Sequence, residues 1–173
     1  MIRTAFLLSM LMMPVILTAC SSNRAGGYTF SQNYDESIKT IAVPIFKNET
    51  LQRGLEIQLA ESLNKQIKSR TPWTLTDTAR ADTSLIGVIT NHTLGQLSRV
   101  PGTGLAQEQT ISITVRFEWR DNRSGEILVA RSGYTATSTF VPQRQVGERI
   151  EEGERKAIDE LAQDMISDLR QSW

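Results

Sequence analysis

Thr110-Ile-Ser-Ile-Thr-Val-Arg-Phe-Glu-Trp-Arg120 alternates without a break. Ile111, Ile113, Val115, Phe117 and Trp119 fall on one side, and Ser112, Thr114, Arg116, Glu118 and Arg120 on the other. Successive side chains of a strand point to opposite faces, so this pattern predicts a strand with one buried and one wet face. Asp121-Asn-Arg-Ser-Gly125 then reads as a five-residue hairpin loop with Gly near its end. Its partner strand is expected from Ile127 to about Phe140, with Ala130 and Gly133 among several Ser and Thr.

Upstream, Leu85 to Leu97 reads as a long strand, with Gly87 and Gly95 marking bulges or bends. Val100-Pro-Gly-Thr-Gly104 is a turn or loop, and Trp73 to Leu75 a brief extended piece. Ile38 to Phe46 is expected to be the first strand, with Pro44 at an edge or at the end of regular pairing because proline cannot donate to a ladder. Asn48 and Thr50 offer helix N-caps. Leu51, Leu55, Leu59, Leu63 and Ile67 follow at intervals of four, the stripe of an amphipathic helix ending near Arg70, before Pro72. A second amphipathic helix is expected over Gly147 to Gln171, lined by Ile158, Leu161, Ala162, Met165, Ile166 and Leu169. The order is β-α-β-β-β-α. Two striped helices over such strands predict an α+β two-layer sandwich: a four-stranded, mostly antiparallel sheet with both helices on one face.

The N-terminus has a different grammar. Arg3 gives a short positive start, and Ala5 to Leu17 is almost wholly apolar. Thirteen helical residues span about 20 Å, too short for a ~30 Å hydrocarbon core, so the run reads as the apolar part of a leader. Leu17-Thr-Ala-Cys20 follows at once. An aliphatic residue, two small ones and a cysteine resemble the lipobox of bacterial lipoproteins, in which cleavage leaves the cysteine as a lipidated N-terminus. Only a thiol gives the thioether that carries diacylglycerol. Two or more acyl chains anchor stably where one does not, so the protein is expected to be membrane-attached rather than membrane-spanning. No Asp follows Cys20, which points to sorting to the outer membrane. The organisation expected is a leader over 1–19, a lipidated start and tether over 20–37, and one domain over 38–173.

Charge and composition exclude more than they assign. The chain has 173 residues with 19 Lys plus Arg against 19 Asp plus Glu, and losing Arg3 with the leader leaves about −1. No bulk charge draws it to nucleic acid. His92 is the only histidine and Cys20 is expected to be lipidated and lies far up the chain, so no Cys-His or Ser-His pair is expected, and one Cys with one His makes no usual zinc ligand set. His92, between Asn91 and Thr93, is expected to be an exposed strand residue. Gly102-Thr-Gly104 lacks the lysine of a phosphate loop. Glu148, Glu151, Glu152 and Glu154 read as a solvated helix start favoured by the dipole. The expectation is a protein without catalytic residues, metal or cofactor.

Gly27-Tyr-Thr-Phe30, then Ile38-Lys-Thr-Ile-Ala-Val-Pro-Ile-Phe-Lys-Asn-Glu-Thr50, then Gly54-Leu-Glu56 and the Leu stripe, behind a lipobox, resemble the lipopolysaccharide-assembly lipoprotein family of the LptE type. The likeness covers essentially the mature chain. It implies a non-enzymatic protein that plugs an outer-membrane β-barrel, helps it assemble and assists delivery of lipopolysaccharide to the outer leaflet. The wet face of Thr110 to Arg120 would suit a polar barrel interior. The resemblance further implies lipopolysaccharide binding through basic residues at one end of the sheet, matched here by Arg99, and by Arg144 or Arg149. The alternative is a lipoprotein regulator of a peptidoglycan synthase, or a subunit of a secretion complex. A regulator that crosses the periplasm needs a long tether, and residues 21–37 are short.

Overall fold

A computed structural model describes residues 37–99, 106–141 and 150–171, giving only the backbone of 99, 106 and 107. The strands are β1 (Thr40–Ala42), β2 (Lys47–Asn48), β3 (Thr74–Leu75), β4 (Thr83–Arg99), β5 (Ala106–Asp121) and β6 (Ile127–Phe140); the helices are α1 (Leu55–Arg70) and α2 (Ile150–Gln171). They form an α+β fold with one mixed sheet in the order β3-β1-β4-β5-β6, and β2 also pairs with β4. The β4-β5-β6 part is antiparallel, whereas β1 runs parallel to β3 and β4, and β2 runs parallel to β4.

The expected four-stranded, mostly antiparallel sheet is thus corrected to six mixed strands. Ile38 to Phe46 is not one strand. Its ladder stops after Ala42, just before the proline that has no N–H to donate, and resumes at Lys47. Ile45 is exposed between them. Trp73 to Leu75 does pair, as the edge strand β3.

The first helix starts later than its caps suggest. Gly54, at φ +90°, precedes Leu55 and makes no side-chain cap bond. That left-handed conformation is the one glycine adopts without penalty. Asn48 instead organises the turn: its Nδ2 donates to Gln52 O (2.7 Å) and Glu56 Oε2 (2.8 Å), while Thr50 N–H and Oγ1 donate to its Oδ1. Leu51 therefore falls outside the helix and is fully exposed. The rest of the stripe, Leu55, Leu59, Leu63 and Ile67, is buried.

Ile111, Ile113, Val115, Phe117 and Trp119 are all buried, as the alternation demands. They share one core with the stripes of α1 and α2. Each such side chain contributes about 1.5–3 kcal/mol when removed from water. Trp73 packs against Trp119 with centroids 5.0 Å apart, which brings the β3 edge into that core. The hairpin loop forms as expected: Gly125 N–H donates to Asp121 O at 2.9 Å, and Gly125 has φ +76°.

Asp82 ties the start of β4 to β1. Its Oδ2 accepts from the N–H groups of Lys39 and Thr40, both at 3.0 Å, and from Thr40 Oγ1 at 2.8 Å; Arg123 bonds its other oxygen. The Thr40 hydroxyl and then the Lys39 amide hold this carboxyl below its ordinary range, against the opposing effect of burial.

Candidate functional site

Register shifts in β4, rather than its glycines, shape the far end of the long hairpin. Ile89 pairs with Val115 and Asn91 with Thr114, so Thr90 is an extra residue. A bulge of one residue reverses which side chains face the core. Before it Leu85 and Ile89 point inward; after it His92 and Leu94 lie opposite the buried Ile113 and Ile111. A second irregularity follows around Leu97, between Gln96 and Arg99.

His92 is consequently not an exposed strand residue. Its side chain is 16% exposed, and Nε2 stands 3.1 Å from Oε1 of Glu154, itself 3% exposed. That is ion-pair distance for a protonated imidazole, though the atoms are off the line of an aligned N–H···O bond. Glu154 is corrected likewise: Glu151 and Glu152 are exposed as expected, but Glu154 faces the core from the first turns of α2. Gly153 beside it lets the helix approach, since a Cβ there would stand 3.0 Å from both Ile111 Cδ1 and Phe140 Cδ1. Ser138 Oγ donates to Gly153 O at 2.6 Å. The start of α2 is thus fixed to the far half of the hairpin.

The ends of β4 and β6 and the starts of β5 and α2 meet at this end. Leu94 (50% exposed), Leu97 (59%) and Ile150 (44%) put apolar side chains into solvent here. Beyond Ile89, β4 has no neighbour opposite β5 among the described residues, so Leu94 is only half covered. The backbone of Arg99 closes β4 at this end, paired with Ala106. Arg144 and Arg149 lie outside the described residues; the segment that holds them joins Val141 to Ile150, which both stand at this same end. Cys20, the expected leader and all of the expected tether but Ser37 are also outside the described residues.

The sheet face away from the helices is open and polar. Ser112 Oγ lies 2.8 Å from Thr137 Oγ1, and Thr114 Oγ1 2.8 Å from Thr135 Oγ1. With Thr93, Thr110 and Thr139 in neighbouring register positions, hydroxyls cover the far half of this face. Nearer β1, the same face carries Ile86, Val88, Arg116 and Glu118. The alternation of β5 foretold its polar residues, but the hydroxyl pairs depend on the register with β6.

Among the described residues, no group of three or more His, Cys, Asp or Glu could hold a metal, and no helix is long and apolar enough to cross a membrane. What the arrangement offers is surface: an end with exposed apolar side chains, and an open polar face.

A family model described as lipopolysaccharide-assembly, LptE, matches residues 38–171. No curated protein matches significantly. Among solved structures, the protein XCC0632 from Xanthomonas campestris is similar with a TM-score of 0.52 at 8% identity, covering 80% of this chain and 89% of that one. A protein assigned as a lipoprotein from Caulobacter crescentus CB15 has a TM-score of 0.50 at 15% identity, covering 73% and 88%. CT253 from Chlamydia trachomatis has a TM-score of 0.50 at 10% identity, covering 77% and 96%. These structural likenesses speak for the fold alone.

Proposed function

The chain belongs to the lipopolysaccharide-assembly (LptE) family, and from that membership we propose that it is an outer-membrane lipoprotein, anchored through acyl chains on Cys20, that plugs the lumen of a β-barrel translocon. In that place it helps the barrel assemble and assists delivery of lipopolysaccharide to the outer leaflet. The observation that carries the reading is a family match over the whole helix-backed sheet, including the far end of the hairpin.

The geometry supports it in two ways. The lumen of a large barrel is polar, and the far half of the open face, where the Ser112 and Thr137 hydroxyls pair, meets such a wall without burying unpaired charge. The far end exposes Leu94, Leu97 and Ile150, and β4 closes there at Arg99. Lipopolysaccharide joins acyl chains to phosphates, and arginine's planar fork suits phosphate oxygens. Arg144 and Arg149 complete the set of basic residues that we assign to this binding.

Detergent extraction of the lipidated chain followed by affinity capture tests the plug. A stoichiometric large β-barrel is expected; capture of a peptidoglycan synthase instead would favour the regulator reading. Cys20→Ala should move the protein from the outer-membrane fraction to the soluble periplasmic one or leave it as uncleaved precursor. Arg99→Asp should weaken lipopolysaccharide binding about tenfold or more, as loss of a charge-assisted contact worth ~1.5–3 kcal/mol requires. Unchanged binding removes Arg99 from the site.

A further inference from the structure

The open face carries a second cationic position, well away from Arg99. Lys47 pairs with Val88, and Val88 with Arg116, so the three stand in one row across β2, β4 and β5. Strand spacing puts the backbones of the two cationic residues about 10 Å apart, with Val88 between them. Ile86 and Val88, both half-buried, floor a depression of about 270 Å³ that Lys47, Arg116 and Glu118 also line.

Its charge is not balanced within the fold. Glu118 is taken by Arg120 at 2.9 Å. Among the described residues, neither Lys47 nor Arg116 is in an ion pair. Both are exposed. The next row beyond Arg116 is Asn91, Thr114 and Thr135, with the two threonine hydroxyls 2.8 Å apart. The depression therefore combines two uncompensated cations, an apolar floor and a neighbouring row of hydroxyls.

We propose that this depression binds the phosphorylated sugar headgroup of a glycolipid. Lys47 and Arg116 hold the phosphate, and Thr114 and Thr135 meet the hydroxyls of the sugar. A phosphate monoester carries about −1.5 to −2 near pH 7, which matches two cations where a carboxylate would match one. The guanidinium supplies a planar fork and the ammonium a point charge from the opposite wall. Ile86 and Val88 offer a free inorganic phosphate no hydrogen bonds, whereas the apolar part of a glycolipid covers them. The row lies about 35 Å along β4 from Arg99, eleven residues at ~3.3 Å each, so it is a separate site rather than part of the hairpin end. The assignment rests on the lipopolysaccharide-assembly reading for its ligand class, but on its own residues for its place.

The test uses the full lipidated chain in detergent micelles with p-benzoylphenylalanine in place of Ala130, an exposed residue on the same face opposite Glu118. The probe is lipid A, a doubly phosphorylated acylated disaccharide, compared with the same lipid after dephosphorylation. Photocross-linking should fall about tenfold in K47E/R116E and to a similar extent with the dephosphorylated lipid, while the same change of charge at two exposed lysines of α1, K65E/K68E, leaves it within twofold. Circular dichroism melting confirms that K47E/R116E is folded. Cross-linking that is unchanged in K47E/R116E, or equal for the two lipids, overturns the site. Inorganic phosphate binding as tightly as lipid A overturns the glycolipid assignment. Cross-linking that persists in a chain which captures no barrel defeats the plug reading and leaves this site standing.

Discussion

Glu154 takes a carboxylate into the core, and His92 is the residue that meets it there. Removing one partner of such a buried pair leaves the other uncompensated. His92→Ala is therefore expected to cost about 2 kcal/mol in urea unfolding, the scale of a buried polar group left without its partner, whereas replacing both residues by Leu should restore most of that loss. A His92→Ala variant within 0.5 kcal/mol of wild type would show that the contact carries no stability. Asp82 gives a pH-dependent counterpart. Its folded pKa is lowered, first by the Thr40 hydroxyl and then by the Lys39 amide. Its contribution is thus fully present above the ordinary carboxylate range and is lost as pH falls through the lowered folded value. Unfolding curves from pH 7 to 2.5 should show the stability difference between wild type and Asp82→Asn shrinking below about pH 4. A constant difference would mean that the clamp does not depend on the charge. The sequence put both His92 and Glu154 in solvent. Periodicity placed His92 on the wet face because Thr90 adds one residue to β4, and no local signal marks that bulge.

At the scale of elements, the connection between β1 and β2 is docked on β4 by ring against backbone. A Cβ on Gly87 would stand 2.3 Å from Cε2 of Phe46, 2.7 Å from Cδ2 and 2.8 Å from the carbonyl oxygen of Arg116. Something must shift to admit it. Gly87→Ala should cost about 2 kcal/mol in chemical denaturation, the usual scale of overpacking. Phe46→Leu in the same background should recover part of this but not all, because the backbone carbonyl stays in place. Full recovery would place all the strain in the ring. The sequence offered Gly87 as a bulge or bend; its role is a close approach between two segments about forty residues apart. The Leu stripe of α1 and the alternation of β5 were legible because both repeat over many residues, and a period that long outweighs local exceptions. Trp73 to Leu75 was legible as an extended piece, but the division of Ile38 to Phe46 into β1 and a separate β2 was not, since the pairing of such short strands comes from partners distant in the chain.

At the scale of the molecule, the helices cover one side of the sheet and leave the other as a polar plane. If that plane meets a barrel wall, then Thr137→Glu, an exposed position on it, should sharply reduce barrel co-purification. It should lower the melting temperature by only a few degrees, because a cross-strand hydroxyl pair is worth about 0.2–1 kcal/mol. Co-purification at the wild-type level would free the hydroxyl face of that role. The melting scan and the capture experiment together separate a folding defect from a lost interface.

By itself the sequence determined the two amphipathic helices, the long hairpin with its five-residue loop, the α+β class and the family. These are short-range or strictly periodic features, set by which neighbours along the chain are apolar. Only the tertiary structure decided that the sheet has six mixed strands, that Asn48 braces a turn instead of capping a helix, and that His92 and Glu154 meet inside. It also set Lys47 across Val88 from Arg116. Each of these depends on register between segments far apart in the chain, and a shift of one residue in that register reverses which side chains are buried.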